Sequence, residues 1–332
     1  MYSLFIKFFC EIEFNRVVAW RGFCYYVVHF FYTWYEMMQS FKVSIVVIVA
    51  IVLWASAFVG IRIGLTGYSP GGLALLRFLV ASLFMALIYY GHGIKKPIPW
   101  KDRIQLLIAG MAGIGIYNIC LNYGELSVSA GIASFIIGLM PVLTVLLSLI
   151  FLQEKLSRGV WLGILISVLG LVLLAIGENS EPGMQQGILA ILVSALMGAI
   201  LTIIQKQFAS VYHPVAIISW VMWGGTLLLL MFAPALIQEI QTADLQTTLA
   251  VVYMGIFPAA IAYLAWGYAL KYLSASNASV TLYALPIVST FLGFILLNEQ
   301  PSLISLLGSG ITLFGAFIAN RFQIRPTTAV SE

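Results

Sequence analysis

Charge is what this chain most lacks. Of its 332 residues, 16 are Lys or Arg and 12 are Asp or Glu, together 8% of the sequence; a soluble globular domain carries about 25%. So few ionised groups cannot solvate the surface of a soluble fold of this length. With 62% hydrophobic residues and a mean hydropathy of +1.04, a soluble enzyme and a disordered chain are both excluded. The net charge of +4 comes from dispersed loop residues rather than a basic patch with interleaved aromatics, so no nucleic acid is implied. Cysteine is scarce too. Cys10, Cys24 and Cys120 have no CxxC spacing, and an odd number argues against a disulfide framework. The three histidines, His29, His92 and His213, are far apart and form no ligand motif. Neither a metal nor a cofactor is expected.

Long apolar runs are what the chain has. A helix crossing the hydrocarbon core needs about 20 mostly apolar residues. From residue 41 onward the sequence offers ten such stretches, at 43–65, 72–90, 104–124, 129–152, 159–177, 186–206, 214–236, 247–270, 275–297 and 302–320. Runs such as LLIAGMAGIGIYNICL lack the polarity alternation and the roughly ten-residue length of barrel strands. The fold class expected is an all-α integral membrane protein. With the start of the first stretch on the cytoplasmic side, fourteen of the sixteen basic residues fall inside; Arg62 alone lies outside, and Arg77 lies within the second stretch. That asymmetry places both ends of the ten-helix unit in the cytoplasm. Residues 322–332 form a cytoplasmic tail. Residues 1–40 are dense in aromatics but carry Arg21 and His29 in their most apolar part, and lack the cleavage site of a signal peptide. Two readings stand for them: an interfacial helix, or a translation start assigned too early, with Met37 or Met38 as the true one.

The chain also repeats. Shifted by 145 residues, Ser129–Ala130 falls on Ser274–Ala275, Pro141 on Pro286, Glu154 on Glu299, Gly163 on Gly308 and Gly170 on Gly315, with 14 identities in the 47 positions of 129–175. Each half then holds five helices, 41–178 and 185–321. An odd number inverts the second half relative to the first, the plan of secondary transporters whose substrate site lies between the halves near the midplane.

These segments resemble a known family. WASAFVGIRIGL, LALLRFLVASL and SAGIASFIIGLMPVLTVLLSLIFLQEKL are similar to a first EamA domain, and SASNASVTLYALPIVSTFLGFILLNEQ with the Gly308/Gly315 helix to a second. The resemblance covers about 41–321. It implies the ten-helix fold of the drug/metabolite transporter superfamily and, with it, export of a small metabolite such as an amino acid.

Within the apolar stretches the ionisable residues are few enough to consider singly. Arg77 lies in the second stretch, where a charge costs at least about 2.5–3.5 kcal/mol. It is either the counter-ion of a substrate carboxylate or a structural arginine bonded to helix-end carbonyls. Arg62 reads as an interface anchor. Glu154 and Glu299 end equivalent stretches on opposite sides of the membrane, as solvated carboxylates or as coupling groups. Proton coupling through Glu125 or Glu154 and simple uniport are both open. No Asp or Glu stands in the middle of a stretch, which disfavours polyspecific cation–proton antiport. The shortage of buried Lys and Arg disfavours phosphorylated substrates.

What remains inside is amphipathic. Asn118 and Asn122 share one helix face, and Trp54, Ser56, Tyr263, Trp266 and Tyr283 add aromatic and hydroxyl groups. Such a lining suits a zwitterion, held by amides and by aromatic faces; each residue could equally be a helix-packing or interface group. Pro141 and Pro286, midway through equivalent stretches, are candidate gating kinks or static bends. The partners expected are the lipid bilayer and a small-molecule substrate, with the chain a monomer or homodimer. A membrane-embedded enzyme would need a buried catalytic set such as HExxH, and a channel a filter or charge ring; neither is present. An importer or a multidrug exporter of the same superfamily stays open as an alternative.

Overall fold

The computed structural model describes residues 18–93, 98–152, 157–177, 183–273, 278 and 281–322. The chain divides into two compact units, Met1–Ile45 and Val46–Glu332. Among the described residues it is helical, without strands. In chain order the helices are α1 (Val18–Gly64), α2 (Pro70–Gly91), α3 (Trp100–Gly124), α4 (Ala130–Ile137), α5 (Met140–Leu152) and α6 (Arg158–Gly177). They continue with α7 (Met184–Ala209), α8 (Pro214–Thr242), α9 (Leu245–Tyr272), α10 (Leu285–Leu297) and α11 (Leu303–Arg321). Residues 18–40, expected as part of an amino-terminal extension, form the first part of α1. Residues 1–17 and the tail from 323 lie outside the described residues, as does Glu154.

Among the described residues, six helical segments are long and apolar enough to cross a membrane: Phe41–Gly64, α2, α3, α7, α8 and α9, of 22 to 29 residues each. At about 1.5 Å per residue these span a hydrocarbon core of about 30 Å. Four shorter apolar segments, Ala130–Thr144, Arg158–Leu173, Leu282–Leu297 and Leu306–Ala319, occupy the other expected positions. Large apolar side chains stand more than half exposed on α2 (Leu83, Leu87), α6 (Leu165, Leu169), α10 (Phe291, Phe294) and α11 (Phe314, Phe317). Stripes of this kind are costly in water and neutral in lipid; the protein is a multi-pass membrane protein.

Local chemistry fixes where the helices begin. Ser69 accepts from the Gly72 N–H at 3.2 Å ahead of Pro70, Ser129 from the Ile132 N–H at 3.4 Å, and Asp244 from the Thr247 N–H at 2.8 Å. Each satisfies a donor that the first turn leaves free. The expected stretch 129–152 is two helices rather than one kinked helix: α4 stops at Ile137 and α5 starts at Met140. Pro141 is the second residue of α5, and Pro286 the second residue of α10, which follows a 3₁₀ turn at Leu282–Ala284. Proline has no N–H to donate, so it sits in a first turn and the chain breaks just before it.

The repeat is visible in detail. Helix α5 (140–152) and helix α10 (285–297) have bounds 145 residues apart, and so do the π-helical turns Met111–Ile116 in α3 and Gly255–Ile261 in α9, to within one residue. Helices α6 and α11 run antiparallel. A Cβ on Gly163 would strike Gly315 and Ala319, and one on Gly170 would strike the backbone of Gly308 and Thr312. Midway between, Ser167 Oγ donates to the Thr312 carbonyl at 3.0 Å and Thr312 Oγ1 to the Ser167 carbonyl at 3.4 Å. Ser167 and Thr312 are repeat equivalents, so this reciprocal pair marks a pseudo-two-fold axis. The symmetry recurs elsewhere: Gly255 of α9 lies against the Arg77 carbonyl of α2, and Gly110 of α3 against the Val221 carbonyl of α8. Each half thus sends its second helix onto the other half.

Valine at Gly170 should be destabilising by at least about 1–3 kcal/mol, because the new atoms meet backbone that cannot yield. Alanine at Gly310, which has nothing within 4 Å of a Cβ, should be neutral or slightly stabilising. Thermal unfolding of the two variants in the same detergent should show a lowered midpoint for the first alone.

Candidate functional site

A cavity of about 60 Å³ lies inside the bundle, lined from both halves: Trp54, Phe58 and Ile61 of α1, Arg77 of α2, Tyr117 of α3, Met140 of α5, Leu201, Thr202 and Gln205 of α7, and Tyr263 and Trp266 of α9. It has room for a few waters and falls short of the roughly 300 Å³ at which ligand pockets begin. Binding of even a small metabolite therefore requires the helices around it to separate. A wider opening, of about 580 Å³, lies among the helix ends at His92, His213 and Lys271 and is lined by none of the candidate site residues.

Trp54 organises one wall. Its Nε1 donates to the Pro258 carbonyl at 3.1 Å, inside the π-helical turn of α9. Its ring meets Tyr263 edge-on, with centroids 5.3 Å apart, and lies 5.3 Å from Trp266. Three aromatic rings from α1 and α9 thus stand together where the halves meet. Arg77 is 4% exposed. Its Nη1 donates to Asn118 Oδ1 at 3.2 Å, and Asn118 Nδ2 in turn donates to the Ile114 carbonyl at 2.8 Å. Arg77 Nε has no hydrogen-bond partner, and neither does Gln205 Nε2. A guanidinium buried with an unused donor and facing a cavity is chemically an anion site.

Of the residues singled out from the sequence, Trp54, Arg77, Tyr263 and Trp266 line this cavity. Asn118 stands behind Arg77 and orients it. Asn122 donates to the Pro70 carbonyl at 2.9 Å and so ties α3 to the start of α2. Ser56 bonds the Leu53 carbonyl at 2.8 Å and lies 3.0 Å from the Tyr253 hydroxyl, on the α1–α9 contact. Tyr283 packs with Val142, Val160 and Ala316. Tyr117 and Gln205 line the cavity without having been singled out. The available signal was helical spacing: Gly198, Leu201, Thr202 and Gln205 fall on one face of α7.

At one end of the bundle a charged cluster joins the halves. Arg62, at the end of α1, places Nε 3.5 Å from Glu299 Oε1 and donates from Nη1 to the Glu125 carbonyl. Glu299 Oε1 also accepts from the Ala130 N–H, at the start of α4, at 3.2 Å. Glu125 caps the carboxyl end of α3, one residue beyond the span. Burial pushes its carboxyl well above the ordinary carboxylate range; Glu299 adds to that, while Arg62 and Arg77 oppose it. At the opposite end Lys206 donates to the carbonyls of Leu270 and Leu273 at 2.8 Å each, capping α9.

Comparison with known proteins places these features in context. The sequence pattern of the EamA-like transporter family matches residues 41–176 and again 185–321. The chain is 38% identical over 264 residues to the uncharacterized transporter YdfC of Bacillus subtilis, covering 79% of this chain and 86% of that one. It is 31% identical over 284 residues to a probable terminal-alkyne amino-acid exporter of Streptantibioticus cattleyicolor, covering 86% and 95%. A solved crystal structure at 22% identity shares the fold, with a TM-score of 0.59 over 85% of this chain and 98% of the other.

Leucine at Asn118 should strip Arg77 of its acceptor and lower stability by about 1–3 kcal/mol. Adding Arg77→Met to that variant should restore part of the loss, since a buried unpaired charge costs more than an apolar group in its place. Melting temperatures of the two single variants and the double variant form the cycle that checks this; strictly additive losses would refute the pairing.

Proposed function

The chain belongs to the EamA-like transporter family, and we propose that it is a secondary carrier exporting a small amino acid or related zwitterion across a bacterial inner membrane by alternating access. In this reading the four shorter apolar segments cross the membrane with the six long ones, giving ten helices in two inverted repeats, 41–178 and 185–321. The Lys206 end, where the basic residues concentrate, faces the cytoplasm, and the Arg62 end faces outward.

The observation that carries the reading is Arg77, buried at the cavity with Nε unpaired. A substrate carboxylate would take that donor. A substrate ammonium would lie against the rings of Trp54, Tyr263 and Trp266, whose faces attract cations. The two opposite charges of a zwitterion match the two chemistries of the wall, whereas a simple organic cation would meet a repelling guanidinium. The Streptantibioticus relative, named as a probable amino-acid exporter, supports both the substrate class and the direction. Substrate would part the halves around the cavity, with the breaks before Pro141 and Pro286 as symmetric flexing points.

Metabolite profiling of the medium around expressing cells tests this. One amino acid should accumulate outside with the intact chain. Arg77→Ala should reduce its export at least about tenfold, the loss expected for one charge-assisted contact. Export unaffected by Arg77→Ala would return Arg77 to a structural role. No accumulation by a well-folded protein would overturn export, and uptake of labelled amino acids would then be measured.

A further inference from the structure

We propose that Glu125 is a proton-binding site that latches the Arg62 end of the carrier: the end closes with the Glu125 carboxyl protonated and opens with it ionised. The inference rests on the alternating-access part of the reading above, and not on which substrate is carried.

Four observations carry it. First, Glu125 is fully buried, and neither carboxylate oxygen has a hydrogen-bond partner. An ionised carboxylate left so would cost far more than the few kcal/mol a folded protein has to spare, whereas a neutral carboxyl tolerates the site. Second, its own N–H donates to the Leu121 carbonyl at 2.9 Å as the cap of α3. The carboxyl therefore sits at the negative end of a helix, which again disfavours its charged form.

Third, neither nearby cation bonds the Glu125 side chain. Arg62 of α1 gives Nε to Glu299 and Nη1 to the main-chain carbonyl of Glu125, not to its side chain. Arg77 of α2 gives Nη1 to Asn118. Among the described residues, Arg62, Arg77 and Glu299, which lies beyond α10, are the charged groups that act on this carboxyl, and Gly187 and Ile191 of α7 pack against the adjoining Gly124. Fourth, Glu299 is held where it can take Arg62. Asn298 adopts a left-handed conformation, φ 54°, which turns the chain back so that the Glu299 carboxylate lies over Gly293, where a Cβ would come within 2.9 Å of Oε2. From there it accepts from the Ala130 N–H.

The Arg62–Glu299 pair links α1 of the first half to the segment after α10 of the second. Opening this end breaks it, admits water to Glu125 and frees Arg62. Glu125 then releases its proton to the aqueous phase on that side, changing from neutral to −1, and competes with Glu299 for Arg62. Closing reverses each step and takes up one proton. Because the closed form holds the proton more tightly, acid on this side favours closure. The advantage fades as pH rises through the closed-form pKa. Between the open-form and closed-form values the closed-to-open ratio falls about tenfold per pH unit.

The test uses the full chain in lipid nanodiscs without substrate. Spin labels at Thr66→Cys and Gln300→Cys, both exposed, in a background with Cys10, Cys24 and Cys120 replaced, report the separation of the two halves at this end. The wild type should give a short distance in acid and gain a longer one in alkali. Glu125→Gln should stay short at every pH. Glu299→Gln, which removes a like charge and frees Arg62, should shift the transition towards acid. Infrared spectra should show a protonated-carboxyl band that Glu125→Gln abolishes. Wild-type distances that ignore pH, a Glu125→Gln variant that still responds, or a band that survives the substitution would each overturn the proposal. Failure of amino-acid export alone would leave all three readouts standing.

Discussion

Within a bilayer there is no water to satisfy a polar group, so every buried donor and acceptor has to find its partner in the protein. The rest of this structure follows from that constraint. Backbone groups are satisfied within helices, and where a helix is interrupted another element supplies the partner: Trp54 reaches the Pro258 carbonyl, Asn122 the Pro70 carbonyl, and Lys206 the end of α9. Against that background, four of the buried polar atoms left without partners among the described residues stand out. Arg77 Nε and Gln205 Nε2 border the cavity, and the Glu125 oxygens lie under the ion pair that joins the halves.

The repeat supplies the frame for these groups and leaves their chemistry unrepeated. Glycines bring α6 and α11 into backbone contact about the Ser167–Thr312 pair, and the same symmetry sets Gly110 and Gly255 against the carbonyls of Val221 and Arg77. Side chains then break it. Aligning the prolines that start α2 and α8 puts Arg77 opposite Val221, and the 145-residue shift puts Asn118 opposite Tyr263 and Glu125 opposite Leu270. One half thus presents the charge and the amide, and the other the aromatic ring. A symmetric scaffold with an asymmetric lining is what the proposed carrier of a zwitterion calls for, its halves moving alike while the substrate has two different ends.

Much of this was legible in the chain. The shortage of charge, the apolar stretches and the 145-residue shift point to a membrane-spanning inverted repeat; Arg77 stands out as a charge within an apolar stretch, and Trp54, Tyr263 and Trp266 were among the aromatic candidates named beside it. Other features were not. Pro141 and Pro286 read as kinks within long helices; they stand instead at helix starts, because the first turn is where a missing N–H costs nothing. The π-helical turns give no periodic signal, since one added residue only shifts the register. Tyr117 and Gln205 were not singled out, because only packing brings their side chains to the cavity.

The sequence by itself determined the solvent, the helices and the symmetry, because hydropathy and turn chemistry act over a few neighbouring residues, and a repeat of 145 residues is written in the letters themselves. The tertiary structure decided which polar groups are answered and which are not. Arg77 meets Asn118 across 41 residues, Trp54 meets Pro258 across 204, and Arg62 meets Glu299 from the other half. Helical periodicity tells which face of a helix a side chain occupies; only packing tells what stands opposite it.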